Sequence, residues 1–246
     1  MRQLSPFRPR DRFWIGLPEP IRGGGHSVLY INYFRMSPHM VMATTTASRP
    51  TIAVSPDAQI HLRERRLSVE DYFAMGKAGI LGDDDRVELL DGRLIDMPPI
   101  GPPHSHSVDN FEELLARRLY KPEQTVARIR IQSPIRLGEY SAPEPDVVLY
   151  DSDMPKNRHP RPDDIYLVVE VADATVDYDR QVKADRYAAA GIPEYWLVDL
   201  PGEAVDVFRR PEEDGFAERS RHRRGDAISV SALPELEAVS VKSVLP

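Results

Sequence analysis

The stretch that most constrains this chain is residues 163–175, DDIYLVVEVADAT. Five of the six residues at 167–172 are apolar, and a single carboxylate, Glu170, stands among them. A short apolar run bounded by polar residues is expected to form a buried strand of a largely parallel sheet. An unpaired carboxylate in such a strand costs on the order of several kcal/mol. The fold must therefore bring Glu170 a partner, and the search for that partner organises the rest of the sequence.

Two segments offer one. Upstream, Asp146 follows Pro145 and opens the apolar run 147–150, so a second strand carries a carboxylate at its start. An Asp after Pro is commonly a turn residue, but strand alternation places Glu170 on one sheet face with Val168 and Ala172. Downstream, Asp179, Lys183 and Tyr187 are spaced i, i+4, i+8 and share one face of a helix. On a solvated surface, an Asp–Lys pair contributes only a few tenths of a kcal/mol. This helix, however, follows the Glu170 strand directly through DATVD, so its first turns can return Lys183 over the sheet edge. Asp146, Glu170 and Lys183 then form one cluster. Two acids can hold a divalent cation through oxygen ligands, and that cation would offset the buried charge. The plainer alternative is a structural Glu170–Lys183 ion pair inside an ordinary α/β domain.

The remaining segments alternate in type. SVEDYFAM reads as a short helix capped by Ser68. RVELLDGRLIDM reads as a hairpin turning at Asp91-Gly92. HSVDNFEELLARRLY places Val108, Phe111, Leu115 and Leu119 at helical spacing, with His104 and His106 in the loop before it. TVARIRIQSPIRL alternates as a strand up to Pro134. DYDRQVKADRYAAAG is a helix that stops at Gly191. EYWLVDL and AVDVFRR are strands in which Tyr195 and Trp196 pack in the core and Asp199 ends its strand in a turn. Residues 216–245 read as short β pieces, with RHRRG at 221–225 as a basic turn. Interleaved elements of this kind predict one α/β domain with a mixed sheet flanked by helices, over residues 67–246.

Residues 1–66 differ. They are rich in Pro, Arg, Gly and Ser and lack periodicity, which predicts a disordered extension or an over-extended gene start, with Met36, Met40 and Met42 as internal starts. They hold ten Arg against four Asp/Glu, a balance of +6, which leaves −13 on the rest of a chain of net charge −7. An acidic body is a poor match for a phosphate backbone unless local basic patches or bound cations override the average. The absence of cysteine excludes disulfides, thiolate metal sites and cysteine nucleophiles, and fits a cytoplasmic protein. No stretch reaches the roughly 18–20 apolar residues of a membrane helix.

The order of these pieces carries a resemblance. Pro-Asp, then Glu in an apolar strand, with a nearby Lys, resembles the PD-(D/E)XK nuclease superfamily. RVELLDGRL, His104 before an amphipathic helix, PEPDVVLY, YLVVEVADAT and DRQVKADRYAAAGIPEYWLVD resemble, in that order, the Uma-two family of restriction-type endonucleases. The resemblance covers about residues 67–245. It implies a restriction-endonuclease-like fold with an N-terminal hairpin and a metal-dependent hydrolase acting on nucleic acid, DNA in the first instance. By the same resemblance Asp146 and Glu170 are the metal-binding acids, Glu88 is a third acid facing the metal, Lys183 is the catalytic lysine and His104 contacts metal-bound water or phosphate. The implied cofactor is Mg²⁺, with Mn²⁺ as a substitute, and a homodimer would supply two sites for cutting a duplex. The sequence departs from the pattern twice. The strand reads Glu170-Val171-Ala172, so its lysine has moved to the next helix, and ADAT stands where the family shows Ser-Pro-Ser-Thr. Asp173 there adds a charge near the acids, which keeps open a second reading: a nuclease fold that binds nucleic acid or a protein without cutting.

Overall fold

The alternating and apolar runs of the sequence assemble into one six-stranded sheet. The computed structural model describes residues 64–82, 84–120, 125 and 127–246. Of the expected extension over residues 1–66, residues 1–63 lie outside the described residues. The strands are β3 (Ala127–Ile131), β4 (Val147–Asp151), β5 (Ile165–Ala172), β6 (Glu194–Asp199), β7 (Ala204–Glu212) and β8 (Gly215–Arg223), side by side in sequence order. Only the β5–β6 pair is parallel, so the expectation of a largely parallel surround for Glu170 gives way to a mixed sheet. Both faces are covered all the same, which is why the central strands are apolar throughout rather than alternating.

One face packs on α2 (Pro102–Leu119), whose Val108, Phe111, Leu115 and Leu119 are buried at the predicted spacing against Val147, Leu149, Val169, Val171 and Trp196. The opposite face packs on a helical stretch that follows β5. It consists of α3 (Val176–Tyr178), a π-helical turn (Asp179–Lys183) and α4 (Ala184–Ala189). Ala184, Tyr187 and Ala188 meet Val168, Ala172, Tyr195, Leu197 and Phe208 on this side. The stretch ends at Gly191, φ 83°, as the sequence predicts.

Two smaller pieces complete the unit. α1 (Val69–Lys77) starts at Ser68, which forms a capping box with Asp71. β1 (Val87–Leu90) and β2 (Arg93–Asp96) form the hairpin, and Asp91 and Gly92 at φ 51° and 80° give it a type I′ turn. Gly92 is required, because a Cβ there would lie 2.5 Å from Arg66 Cβ. The hairpin is its own two-stranded sheet, tied to the body where Leu89 pairs with Ala142. Short strands β9 (Ala227–Ile228) and β10 (Val239–Ser240) pair near the C-terminus, followed by α5 (Val241–Val244).

Three sequence expectations change. His104 and His106 lie in the first turns of α2 rather than in a loop; Gly101 is the N-cap and no side chain caps it. The segment 216–245 is not all short pieces, since β8 runs for 9 residues. Arg221 and Arg223 therefore belong to a strand, not to a basic turn. No helix among the described residues is long and apolar enough to cross a membrane.

Candidate active site

Antiparallel pairing sets Val147 opposite Val169, so Asp146 and Glu170 are brought to adjacent positions on neighbouring strands, as a shared cation would require. Asp146 is held from three sides. Its Oδ2 accepts the Val171 backbone N–H at 2.8 Å and His104 Nε2 at 3.0 Å, and its Oδ1 accepts Gln132 Nε2 at 3.2 Å. With Nε2–H donating to Asp146, His104 Nδ1 is left buried without a partner.

Glu170 is 4% exposed. Its Oε1 accepts Lys183 Nζ at 2.9 Å and Tyr187 OH at 2.6 Å, while Oε2 has no protein donor among the described residues. Lys183 is itself buried and also lies 3.2 Å from Glu88 Oε2 and 3.9 Å from Asp179 Oδ1. The solvated Asp179–Lys183 surface pair expected from spacing alone is thus a buried one. Glu88 is fully buried on β1, and its Oε1 has no hydrogen-bond partner. What carries Glu88 inward is the hairpin turn, where Asp91 accepts Arg186 Nε of α4 at 2.8 Å.

The π turn explains how the lysine reaches its place. The Ala184 N–H bonds back to Asp179 O, five residues earlier, which widens one turn and re-aims its side chains. Asp179 is fixed by the Thr175 hydroxyl at 2.6 Å, and its carbonyl accepts Tyr195 OH at 3.2 Å.

The electrostatics of the cluster follow from a shortage of positive charge. Three buried carboxylates, Glu88, Glu170 and Asp179, surround one ammonium, and a fourth, Asp146, stands beside Glu170 on the neighbouring strand. Burial pushes the Glu170 carboxyl up to about 8; Lys183 opposes this, and Asp146, Asp179 and Glu88 add to it. Burial also raises Asp179, against the pull of Lys183. Burial lowers Lys183, but Glu170, then Glu88 and Asp179, outweigh it and hold the ammonium above the usual lysine range. The shifts agree: acids and lysine alike move in the direction expected where carboxylates exceed cations.

The donor set is oxygen-rich and hard, suited to Mg²⁺ or Mn²⁺ rather than a thiolate-seeking metal. Among the described residues no three His, Asp or Glu converge as a preformed cage. A Mg²⁺ site does not need one, since that ion keeps several waters and is bound through one or two carboxylates plus substrate phosphate. The orphaned Glu88 Oε1 and the undonated Glu170 Oε2 fit such a group.

The family model that matches this sequence, Uma2, carries the description "Putative restriction endonuclease" and spans residues 69–242. The chain belongs to the Uma2 family. A solved structure described as "a putative nuclease belonging to DUF820", from Anabaena variabilis ATCC 29413, superposes with a TM-score of 0.55 at 14% identity, over 72% of this chain and 97% of that one. At that identity the likeness carries the fold, which is restriction-endonuclease-like. No curated protein matches the sequence.

The Uma2 span runs from α1 to α5 and contains every residue of the cluster. The sequence pattern singles out five of them, Glu88, His104, Asp146, Glu170 and Lys183. It does not single out Gln132 or Glu144. Gln132 sits at φ 41° directly after β3, and nothing in its local sequence marks it. Glu144, whose backbone N–H reaches Glu88 Oε2 at 3.4 Å, is raised by burial and hydrogen-bonded by Tyr72 OH. Its position in PEPD, two residues before Asp146, is the signal that marks it. Asp173, expected to crowd the acids, is exposed on the turn after β5.

Proposed function

We propose that this Uma2-family chain is a metal-dependent endonuclease that hydrolyses phosphodiester bonds of DNA, with Asp146 and Glu170 as the carboxylates that would hold a divalent cation, Mg²⁺ or Mn²⁺, and Glu88 as a third acid facing the same pocket. The observation that carries this reading is the cation-poor cluster around Lys183, three buried carboxylates to one ammonium, with the buried Asp146 next to Glu170 on the adjoining strand. A protein has little reason to bury that excess unless something positive joins it. When bound, the cation supplies Lewis-acid neutralisation of phosphate charge and a more acidic water.

The chain's own residues supply the rest. His104 and the Val171 N–H fix the rotamer of Asp146, so its remaining lone pairs point one way. Tyr187 does the same for Glu170 and leaves Oε2 for the cation. Lys183, ion-paired with Glu170 and Glu88, is an ammonium and therefore a donor rather than a base. It orients the attacking water and stabilises negative charge developing on the phosphate, the task of the missing strand lysine. His104, on α2 beside Asp146, is within reach of the same water or phosphate. Two chains would provide the two sites needed to cut both strands of a duplex.

The second reading, a fold that binds without cutting, rests on Asp173, which is exposed on the turn after β5, and on the acidic body. The test is incubation of the purified chain with supercoiled plasmid and with labelled oligonucleotides in Mg²⁺, Mn²⁺ or EDTA. Cutting that needs the metal and disappears in Asp146→Asn and Glu170→Gln supports the assignment. A wild type that stays inert in every metal, or cuts equally in EDTA, overturns it.

A further inference from the structure

The sheet edge beside this site carries a feature that the hydrolytic residues do not use. On β3, alternation sends Arg128 and Arg130 to one face, with Tyr150 of β4 paired opposite Arg128. With Ser152, Met154 and Lys156 from the loop after β4, they line a cavity of about 330 Å³. Three of its six lining side chains are cationic and none is acidic. Tyr150 forms an aromatic wall, with the Arg130 guanidinium 5.1 Å from its ring centre. Arg128 Nε touches the Ser152 carbonyl at 3.4 Å, and among the described residues no carboxylate pairs with Arg128, Arg130 or Lys156.

Arg128 and Lys156 are exposed and Arg130 is half-buried. The body of the chain has a net charge of −13, and its other half-buried arginines among the described residues, Arg118, Arg136, Arg158, Arg180, Arg186 and Arg209, each have a carboxylate partner. Edge strands often carry charge to discourage pairing with another sheet. That purpose needs neither a cavity nor an aromatic wall, and charge of either sign serves it. The neighbouring acid Asp151 lies at alternate parity on β4, on the face where Val147 and Leu149 pack against α2. From the cavity, β3 runs toward the candidate site. Gln132, two residues beyond Arg130, donates to Asp146.

We propose that Arg128, Arg130 and Lys156 form a docking track for the phosphate backbone of the nucleic acid substrate, leading along β3 to Gln132 and Asp146. This rests on the nuclease reading above. It addresses the charge conflict in the sequence, because a local basic patch lets a polyanion approach a body whose net charge is negative. Guanidinium groups grip phosphate oxygens in paired hydrogen bonds, and Tyr150 offers a face to a base or sugar without choosing a sequence. The track therefore supplies affinity and direction, not sequence choice.

The test measures binding apart from cutting. Fluorescein-labelled duplexes of two unrelated sequences, and the corresponding single strands, are titrated with protein in EDTA, and binding is followed by anisotropy from 50 to 200 mM salt. The variants are Arg128→Ala/Arg130→Ala/Lys156→Ala and a control with the same charge change at exposed sites away from β3, Lys77→Ala/Arg223→Ala/Lys242→Ala. The track variant is expected to weaken equally for both sequences. Its log–log salt slope is expected to flatten by about 0.9 for each duplex phosphate that is no longer neutralised, and by about 0.7 for each phosphate of a single strand. The control is expected to keep the wild-type slope. The larger drop in affinity identifies which strand form the track prefers. Equal slopes in the track variant, the control and the wild type overturn the proposal, as does a wild type that binds neither form at 50 mM salt. Because binding is read in EDTA, the two ideas fail separately. A chain that binds through the track yet cuts nothing in metal loses the nuclease reading alone, and one that cuts with an unchanged salt slope in the track variant loses the track alone.

Discussion

Two charge clusters share one rung and one face of the sheet. Glu170 pairs in register with Leu197, Leu197 with Asp206, and Asp206 with Arg221. Glu170 and Asp206 are both nearly inaccessible, at 4% and 0% exposure. At the usual strand spacing their backbones lie only about 10 Å apart. Their surroundings are opposite. Asp206 and its neighbour Asp199 face three guanidinium groups. Arg180 and Arg221 each reach both carboxylates at 2.7 to 3.0 Å, and Arg219 adds a contact to Asp206 at 3.4 Å. Every oxygen there is donated to, including Asp199 Oδ1 by the Gly202 N–H. Around Glu170 one ammonium serves three acids, and Glu88 Oε1 has no partner. The comparison separates two uses of buried charge. A balanced cluster holds structure together, whereas the unbalanced one is where the proposed cation would bind. The π turn joins them, since Arg180 locks one end of it to Asp206 while Lys183 leaves the other end for Glu170.

The largest effect that could break this contrast belongs to Lys183. Lys183→Met removes the single cation of the unbalanced cluster, and in EDTA it should cost about 3–5 kcal/mol, the usual consequence of leaving buried charge uncompensated. Adding Mn²⁺ should return more stability to the variant than to the wild type, read by urea unfolding with and without metal. Any cutting should fall by about 10²–10³. A cost below about 1 kcal/mol would mean that the cluster is not short of charge.

Matched neutralisations should have opposite signs. Asp206→Asn leaves Arg180 and Arg221 to share Asp199 and Arg219 without a carboxylate, and should destabilise by about 2–3 kcal/mol with or without metal. Glu88→Gln removes a surplus charge and should stabilise the metal-free protein by about 1 kcal/mol. Thermal melts in EDTA decide both.

Proton linkage sharpens the same contrast. Glu170 in the metal-free fold is raised from an ordinary 4.5 to about 8, so the native state holds a proton that the unfolded chain has released. Its contribution is therefore full below about 4.5 and is lost as pH rises through about 8. Asp199 behaves in reverse. Burial raises it, but Arg221, the Gly202 N–H and Arg180 together bring it below its ordinary 3.8. Its contribution is present above 3.8 and is lost as pH falls through its lower folded value. In EDTA, Glu170→Gln should flatten the decline in stability between pH 5 and 8, and Asp199→Asn should blunt the acid limb.

The smallest effect is expected at Arg219. It is half-exposed and makes the longest contact of the balanced cluster, so Arg219→Ala should change stability by less than about 1 kcal/mol.

The two clusters also differ in how far the sequence reveals them. Glu170, Asp146 and Glu88 are conspicuous because each interrupts or opens an apolar run, and a charge in such a run needs a reason. Lys183 and Tyr187 are legible as one helix face shared with Asp179, although the widened turn that buries them is not, since a single i+5 hydrogen bond leaves no periodic trace. The balanced cluster is invisible in the sequence. Asp199 reads as a strand-end turn residue, which it also is, and Arg221 as part of a basic turn. Their meeting with Arg180 and Asp206 depends on strand register and on the π turn, which bring together positions 180, 199, 206 and 221. Local pattern recovers elements and misplaced charges; it does not recover which distant charges end on the same rung.

The central claim is that the cluster around Lys183 is completed by a divalent cation held by Asp146 and Glu170, and the cluster around Asp206 is complete without one. Isothermal titration of metal-free protein with Mn²⁺ tests it most directly, on the wild type, Asp146→Asn, Glu170→Gln and Arg219→Ala. The account predicts saturable binding in the wild type and in Arg219→Ala, abolished in both carboxylate variants while their melts remain cooperative. No Mn²⁺ binding in the wild type, or binding that survives in both carboxylate variants, would contradict it.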